Sequence, residues 1–256
     1  MRQIADIKNE LESIAHDDTA GLRRFILDNS EDGRKGVVSI LNKAEKLIEA
    51  YEAELARTEV MYAFEDKYKA KGYSYICGID EVGRGPFAGP VVTAAVILPD
   101  DRRLLYLNDS KQVKKEKREE LYDIITREAV CYGIGVVSET RIDEINILNA
   151  TKEAMRMAVN NLSVKPDFLL VDSVDLNMLG IPLEHPDKGD TLSASIAAAS
   201  IVAKVTRDRM MEEYAKVYPG YGFEKNAGYG TADHIAAIKK IGPCPLHRRT
   251  FIHKYI

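Results

Sequence analysis

Residues 73–98 read YSYICGIDEVGRGPFAGPVVTAAVIL, two apolar runs joined by a loop rich in glycine and proline. The runs at 73–80 and 90–98 contain the β-branched and aromatic residues that favour strands. The loop between them contains turn residues that reverse the chain. This stretch therefore predicts an antiparallel β-hairpin, with the acidic pair Asp80-Glu81 at the end of its first strand.

Helices and strands alternate after this hairpin. The pattern predicts a helix near 114–128, a strand over 130–137, a helix through 151–160, an apolar strand at 168–172 and a long helix over 191–217. This order implies an α/β fold, in which helices pack against a mixed sheet. The last helix contains SASIAAASIVAK, whose small side chains predict that it is buried.

The first 72 residues follow a different pattern. Their apolar residues recur at helical spacing, and a helix over 36–69 would be roughly 50 Å long at about 1.5 Å per residue. Such a length suggests a helical hairpin or a packing arm. Lys71-Gly72 supplies a stop signal. We therefore divide the chain into a small all-helical N-terminal extension, 1–72, and a mixed α/β domain, 73–256.

The composition excludes several classes of protein. With 256 residues, 45% hydrophobic and 30% charged, the chain is typical of soluble globular proteins rather than disordered or fibrous ones. No apolar run reaches the roughly 18–20 residues that cross a bilayer, so we expect a cytoplasmic protein without a membrane partner. Its three cysteines form no C-x-x-C pair, which argues against disulfides and a zinc ribbon.

The net charge is −4, but the basic residues cluster. Residues 204–256 carry ten basic and five acidic side chains, and residues 111–118 carry five and one. Local charge matters more than the total when nucleic acid is the partner. These stretches indicate either phosphate-binding surfaces or the solvated faces of helices.

Four carboxylates lie at the ends of apolar segments: Asp80 and Glu81 after YICGI, Asp172 after FLLV, and Asp190 before TLSASIAAAS. Strand ends meet at one edge of an α/β sheet, and a buried acid needs a partner or a metal. Oxygen donors without nearby Cys or His favour Mg²⁺ or Mn²⁺ over zinc. Two such ions about 3.5–4 Å apart make a phosphodiester hydrolase.

Each of these acids also has a simpler alternative role. Asp190 stands where a helix N-cap is expected, and its carboxylate would accept N–H bonds from Leu192 or Ser193. Asp172 would begin a turn with Ser173. Only the joint occurrence of the acids at the ends of core segments favours a metal site.

The segment Gly83-Arg84-Gly85 follows the first strand but is not a dinucleotide-binding fingerprint. The third glycine of the loop comes one place late, and Pro90 leads into a strand instead of a helix. Such a loop exposes backbone groups to close approach, which suits a sugar hydroxyl or a phosphate oxygen. A tight hairpin turn without a ligand is the alternative.

Five motifs together resemble ribonuclease HII, the type 2 ribonucleases H. They are GIDEVGRGPFAGPVV at 78–92, NDSK at 108–111, VDSVDL at 171–176, KGDTLSASIAAASIVAKVTRD at 188–208 and NAGYGT at 226–231. They occur in the family's order within 73–256, and GRG, rather than the GKG of the related ribonuclease HIII, favours HII. The resemblance implies a ribonuclease H-like mixed sheet flanked by helices.

The resemblance implies an endonuclease that cuts the RNA strand of RNA–DNA hybrids. It also implies cutting on the 5′ side of single ribonucleotides in duplex DNA, which leaves 3′-hydroxyl and 5′-phosphate ends and serves ribonucleotide removal. Catalysis with two Mg²⁺ or Mn²⁺ ions would fall to Asp80, Glu81, Asp172 and Asp190. The alternatives are a ribonuclease HIII-like need for a run of ribonucleotides, a catalytically silent hybrid-binding module and a phosphatase of small phosphoesters.

The resemblance also implies substrate contacts. Gly83, Arg84 and Gly85 would meet the ribose 2′-hydroxyl and the neighbouring phosphate. Tyr229 would pack on the deoxyribose just beyond the ribonucleotide, whereas a buried or hydrogen-bonding core tyrosine is the alternative.

The remaining candidates are basic residues near these motifs. Lys111 would lie near the scissile phosphate, and Lys204 and Arg207 are further candidates for phosphate contacts. We expect Asp208 to pair with a neighbouring basic side chain instead of a metal. We expect a monomer, in which the extension 1–72 would extend substrate binding, cap the catalytic domain or recruit an unidentified partner.

Overall fold

The computed structural model describes residues 2–101, 103–172, 174, 176 and 179–256. Ser173 and Asp175 of the VDSVDL motif lie outside the described residues, and so does the alternative turn between Asp172 and Ser173. The chain forms two compact units, residues 1–59 and 60–256.

The first unit is helical. It consists of α1 (Ile4–Ser13), α2 (Thr19–Asn29) and most of α3 (Lys35–Met61). The apolar stripes of these helices meet in a small buried core, formed by Ile7, Leu11, Leu22, Phe25, Val37, Ala44 and Ile48. The prediction of an all-helical N-terminal segment is confirmed.

The helical pattern over 36–69 does not form one continuous helix. α3 ends at Met61, and a separate helix, α4 (Ala63–Lys69), begins after Tyr62. Tyr62 is buried, and its hydroxyl accepts a hydrogen bond from the Leu104 N–H at 3.0 Å. The ψ angle of Tyr62 is 1° instead of helical, so this buried anchor coincides with the interruption.

The described part of the second unit contains one mixed sheet with strand order β3-β2-β1-β4-β5. Its strands are β1 (Ile76–Val82), β2 (Val91–Ile97), β3 (Cys131–Val137), β4 (Phe168–Val171) and β5 (Leu183–Glu184). β2 pairs antiparallel with β1 and β3, whereas β4 runs parallel to β1 and β5. The predicted hairpin and mixed sheet are confirmed, and the two-residue β5 was not predicted.

Helices cover both faces of this sheet. The helices that follow β2 are α5 (Lys115–Glu128), α6 (Glu139–Ile145), α7 (Ile147–Asn160), α8 (Gly189–Leu192), α9 (Ala194–Val217), α10 (Phe223–Asn226), α11 (Ala232–Ile241) and α12 (Arg249–Ile252). α5 and α9 pack on the face that includes Ala94 and Val96, and α7 packs on the face that includes Ala95 and Ile97. This alternation follows from the two-residue period of a strand.

Glycine allows α9 to approach the sheet closely. A Cβ atom on Gly78 would lie 2.0 Å from the carbonyl carbon of Ser195, so only glycine fits this position of β1. Residues 193–203 at the start of α9 are buried, as predicted for the small-residue segment. The backbones of β1 and α9 are therefore in direct contact two residues before Asp80.

No described helix is long and apolar enough to cross a membrane. The three cysteines, Cys77, Cys131 and Cys244, are buried free thiols.

Replacing Gly78 by Ala should lower the free energy of unfolding by about 1–3 kcal/mol, because the added methyl group overpacks the contact with Ser195. Equilibrium denaturation in urea measures this change. Gly33→Ala is the control, because a Cβ atom there meets nothing within 4 Å, and its effect should stay within about 0.5 kcal/mol. Equal stability of the two variants would contradict the close contact.

Candidate active site

Asp80 and Asp172 are neighbours at the end of the parallel strand pair β1–β4. The register pairs Ile79 with Val171, and the Asp172 N–H donates to the Ile79 carbonyl at 3.2 Å. Each acid is thus the next residue after a paired position. Main-chain hydrogen bonds, and no feature of the side chains themselves, bring the two carboxylates to the same edge.

Asp80 is 7% exposed and faces α9. Its carboxylate lies beside the Ser200 hydroxyl, which donates a hydrogen bond to the Ser110 hydroxyl at 2.9 Å. Burial, followed by the charges of Glu81 and Asp172, raises the pKa of Asp80 well above its usual value. A cation beside this carboxylate would favour its ionised form.

Glu81 is mostly buried next to the glycine-rich loop. Its Oε1 lies 3.1 Å from Arg84 Nη1, whereas its buried Oε2 has no hydrogen-bond partner. Burial raises the pKa of Glu81 to about 7, although Arg84 opposes this shift. A buried carboxylate oxygen without a donor is an open position for a cation.

Asp190 lies within α8, not at a helix cap. Lys188 is the N-cap residue of α8 and Ser193 that of α9, so Asp190 does not have the alternative N-cap role. A Cβ atom on Gly189 would lie 3.7 Å from Asp172 Oδ1, which shows that α8 adjoins the end of β4.

Lys111 lies in the field of the acidic side chains. Burial alone would lower the pKa of Lys111, but the surrounding carboxylates outweigh burial and raise it. These carboxylates belong to Asp109, Asp80, Asp190 and Asp172. Burial, followed by the charges of Asp109 and Asp172, also raises the pKa of Asp190. Asp109 belongs to the NDSK motif, but the sequence did not predict it as an acid of this site.

The donor chemistry of these residues fits Mg²⁺ or Mn²⁺. The acids present hard oxygen atoms, the pKa values of Asp80, Glu81 and Asp190 are raised, and one oxygen of Glu81 is unpartnered. As the described side chains stand, no group of three or more His, Cys, Asp or Glu could hold a metal ion.

Arg207 holds the loop that follows β1. It is 0% exposed, and its guanidinium donates to the carbonyls of Pro90, Ala88 and Ala227 at 2.9, 3.0 and 2.8 Å. Burial lowers the pKa of Arg207 to about 10. The structure corrects the prediction of a phosphate contact, because the buried guanidinium is already bonded to main-chain oxygens.

Arg248, which the sequence analysis missed, is a second buried arginine at this loop. It donates to the carbonyls of Gly83, Arg84 and Gly89 at 2.6, 2.9 and 2.7 Å. Burial, with the charge of Arg207, lowers the pKa of Arg248 to about 9. Gly83 and Gly89 have φ of +93° and +84°, a conformation that favours glycine.

Tyr229 lies beside this loop with 43% of its surface exposed, so it is not a buried core tyrosine. A Cβ atom on Gly85 would lie 3.9 Å from Tyr229 Cε1. The Tyr229 carbonyl accepts a hydrogen bond from His234 Nδ1 at 2.8 Å, and His234 Nε2 lies 3.0 Å from Nε2 of His247. The backbone of Tyr229 is therefore fixed by buried groups while its ring faces solvent next to Gly85.

Lys204 is paired with an acid of its own helix. Its Nζ lies 2.6 Å from Asp208 Oδ1, and Arg118 Nη2 lies 3.7 Å from the other oxygen of Asp208. The expectation that Asp208 pairs with a basic side chain is confirmed. Any contact of Lys204 with phosphate would compete with this ion pair.

Two family models match this chain. The family model described as ribonuclease HII matches residues 77–255, and that of the ribonuclease HII N-terminal domain matches residues 3–69. The chain is 52% identical over 250 residues to the ribonuclease HII of Lachnoclostridium phytofermentans, covering 98% of this chain and 96% of that protein. It is 53% identical over 221 residues to that of Enterococcus faecalis, covering 86% of each.

Solved structures support the fold. The ribonuclease H2 of Pyrococcus horikoshii superposes with a TM-score of 0.61 and 28% identity, covering 71% of this chain and 97% of that chain. The ribonuclease HII of Archaeoglobus fulgidus, solved in complex with PCNA, has a TM-score of 0.58 and 27% identity, covering 68% and 94%. From these matches and the acidic edge of its mixed sheet, we conclude that the chain belongs to the ribonuclease HII family and is a metal-dependent endoribonuclease.

Proposed function

We propose that this protein hydrolyses the RNA strand of RNA–DNA hybrids and cuts on the 5′ side of single ribonucleotides in duplex DNA. The products would carry 3′-hydroxyl and 5′-phosphate ends, and the cut would begin ribonucleotide removal from DNA. The observation that carries the proposal is the placement of Asp80 and Asp172 at the ends of the paired strands β1 and β4, beside the helix α8 that carries Asp190, in a chain of the ribonuclease HII family.

We assign metal binding and catalysis to Asp80, Glu81, Asp172 and Asp190. Two Mg²⁺ or Mn²⁺ ions, when bound, would activate the attacking water and stabilise the leaving oxygen. The Glu81 carboxylate would then give up its pairing with Arg84, whose side chain is 42% exposed and would become available to a substrate phosphate.

The glycine-rich loop and Tyr229 would read the substrate together. Gly83, Arg84 and Gly85 would meet the ribose 2′-hydroxyl and the adjacent phosphate, since the 2′-hydroxyl distinguishes RNA from DNA. The exposed Tyr229 ring next to Gly85 would pack on the following deoxyribose. Lys111, exposed at its tip, would contact the scissile phosphate, and Lys204 a more distant one.

We further propose that the protein acts as a monomer in the cytoplasm, with its chemistry in residues 73–256. The three buried free thiols are compatible with a reducing compartment. The extension 1–72 would contribute no metal ligand, because the carboxylates of the proposed site all come from later motifs.

A labelled DNA duplex with one ribonucleotide should be cut on its 5′ side by the full chain in Mg²⁺ or Mn²⁺, and not with excess EDTA. Asp80→Asn should slow cutting roughly a hundredfold or more, because it removes a charged ligand, while substrate binding persists. Asp123→Asn, an exposed change on α5, is the control and should cut like wild type. Failure of folded wild type to cut in both metals would refute the proposal.

Substrate length separates this proposal from the ribonuclease HIII-like alternative. Duplexes with one and with four consecutive ribonucleotides should both be cut, because the loop and Tyr229 would need a single 2′-hydroxyl and one junction. Rates measured in parallel on the two duplexes check this. Cutting confined to the four-ribonucleotide duplex would favour the alternative.

Tyr229→Ala should slow cutting at the junction roughly tenfold, because burying the ring against the deoxyribose would contribute about 1.5–3 kcal/mol. Substrate affinity, measured with EDTA by fluorescence anisotropy, should change less. Tyr229→Phe keeps the ring and should behave like wild type. Equal losses of rate and affinity in the alanine variant would count against the proposed stacking.

A further inference from the structure

Glu65 on α4 is a buried acid that precedes all the motifs of the proposed site. It is 3% exposed. Its Oε1 accepts hydrogen bonds from the hydroxyls of Ser193 and Ser195 at 2.7 and 2.6 Å, and from the Ser195 N–H at 2.9 Å. A buried carboxylate with three donors on one oxygen fixes the segment that supplies those donors.

The segment that Glu65 holds is the junction between α8 and α9. α8 has only four residues and carries Asp190, whereas α9 has 24 residues and begins directly after Ser193. The Ser193 hydroxyl also accepts a bond from the Ile196 N–H at 3.3 Å. Glu65 thus places a carboxylate at the N-terminus of a long helix, where the helix dipole favours negative charge.

The same junction contacts β1 on its other side. The missing side chain of Gly78 leaves room for the backbone of Ser195 and Ile196, and Asp80 follows two residues later on that strand. The junction is therefore held between α4 and β1. Because a four-residue helix has little stability of its own, the position of Asp190 depends on how this junction is fixed.

We propose that Glu65 is a positioning residue that fixes Asp190 relative to Asp80 and thereby sets the affinity of the site for divalent metal. The inference rests on the proposed function, in which both aspartates are metal ligands. Because metal ligands must be held in position by the residues around them, a loose junction would weaken the binding of the ion.

The two oxygens of Glu65 make the test specific. Oε1 accepts the three hydrogen bonds, whereas the buried Oε2 has no hydrogen-bond partner. Glu65→Gln retains an oxygen that can accept the same bonds, and Glu65→Ala removes it. If Glu65 acts by position, Glu65→Gln should retain the Mn²⁺ binding that Glu65→Ala loses.

The chain also offers a matched control. The carboxylate of Asp143 accepts bonds from the N–H groups of Arg249 and Thr250 and from the Thr250 hydroxyl, at the start of α12. Asp143→Ala removes the same kinds of hydrogen bond at a helix start that carries no proposed ligand. Comparison with this variant separates a general loss of protein stability from a specific displacement of Asp190.

Binding of Mn²⁺ to the full chain can be measured without substrate from the EPR signal of free Mn²⁺. This readout is independent of catalysis. Glu65→Ala should weaken Mn²⁺ binding roughly tenfold. The Mn²⁺ affinities of Glu65→Gln and Asp143→Ala should stay within about threefold of the wild-type affinity. Cleavage by Glu65→Ala should need correspondingly more Mn²⁺ for half its maximal rate. At saturating Mn²⁺ the cleavage rate of Glu65→Ala should approach the wild-type rate.

Wild-type Mn²⁺ affinity in Glu65→Ala would overturn the inference, and so would equal weakening in Glu65→Ala and Asp143→Ala. If Glu65→Ala does not fold, Ser195→Ala removes one of the three bonds and should weaken binding by a smaller factor. Unchanged binding in that variant would then overturn the inference. If wild type itself neither binds Mn²⁺ nor cuts, the proposed function fails, which is a distinct result.

Discussion

The site depends on holding like charges together where solvent screens them poorly. Asp80, Glu81 and Asp190 all have raised pKa values, with burial as the first cause and neighbouring carboxylates as a further one. Such an arrangement opposes folding, so it must be stabilised by structure that does not involve the acids. The β1–β4 hydrogen bonds and the apolar contacts of α9 supply that structure, and metal would relieve the remaining repulsion.

The basic residues around the site divide into two groups with different surroundings. Arg207 and Arg248 are turned inward, and main-chain carbonyls take the place of a counter-ion. Arg84 and Lys111 remain partly or mostly exposed and face carboxylates. A count of basic residues along 204–256 therefore overstates the surface available to phosphate, since burial cannot be deduced from charge alone.

Sequence patterns predicted the parts of the molecule whose signal is local. Apolar runs and turn residues predicted the hairpin, the order of elements predicted the mixed sheet, and the acids at strand ends do lie at one edge. The helix break at Tyr62 and the buried contacts of Arg248 and Glu65 were not predicted. Each of these depends on contacts far apart in the chain, such as Glu65 with Ser195, which no periodicity or motif spacing records.

The contacts of α4 bear on where the catalytic fold begins. Besides the bonds of Glu65, the Tyr68 ring stacks on Phe168 of β4 with centroids 3.7 Å apart, and Lys67 pairs with Glu184 of β5 at 2.9 Å. These contacts join α4 to the edge of the sheet and to the start of α9. A fold that began at residue 73 would expose Phe168 and leave Ser193 and Ser195 without their acceptor. In physical terms α4 is therefore part of the structure that supports the acids, although every acid lies further along the chain.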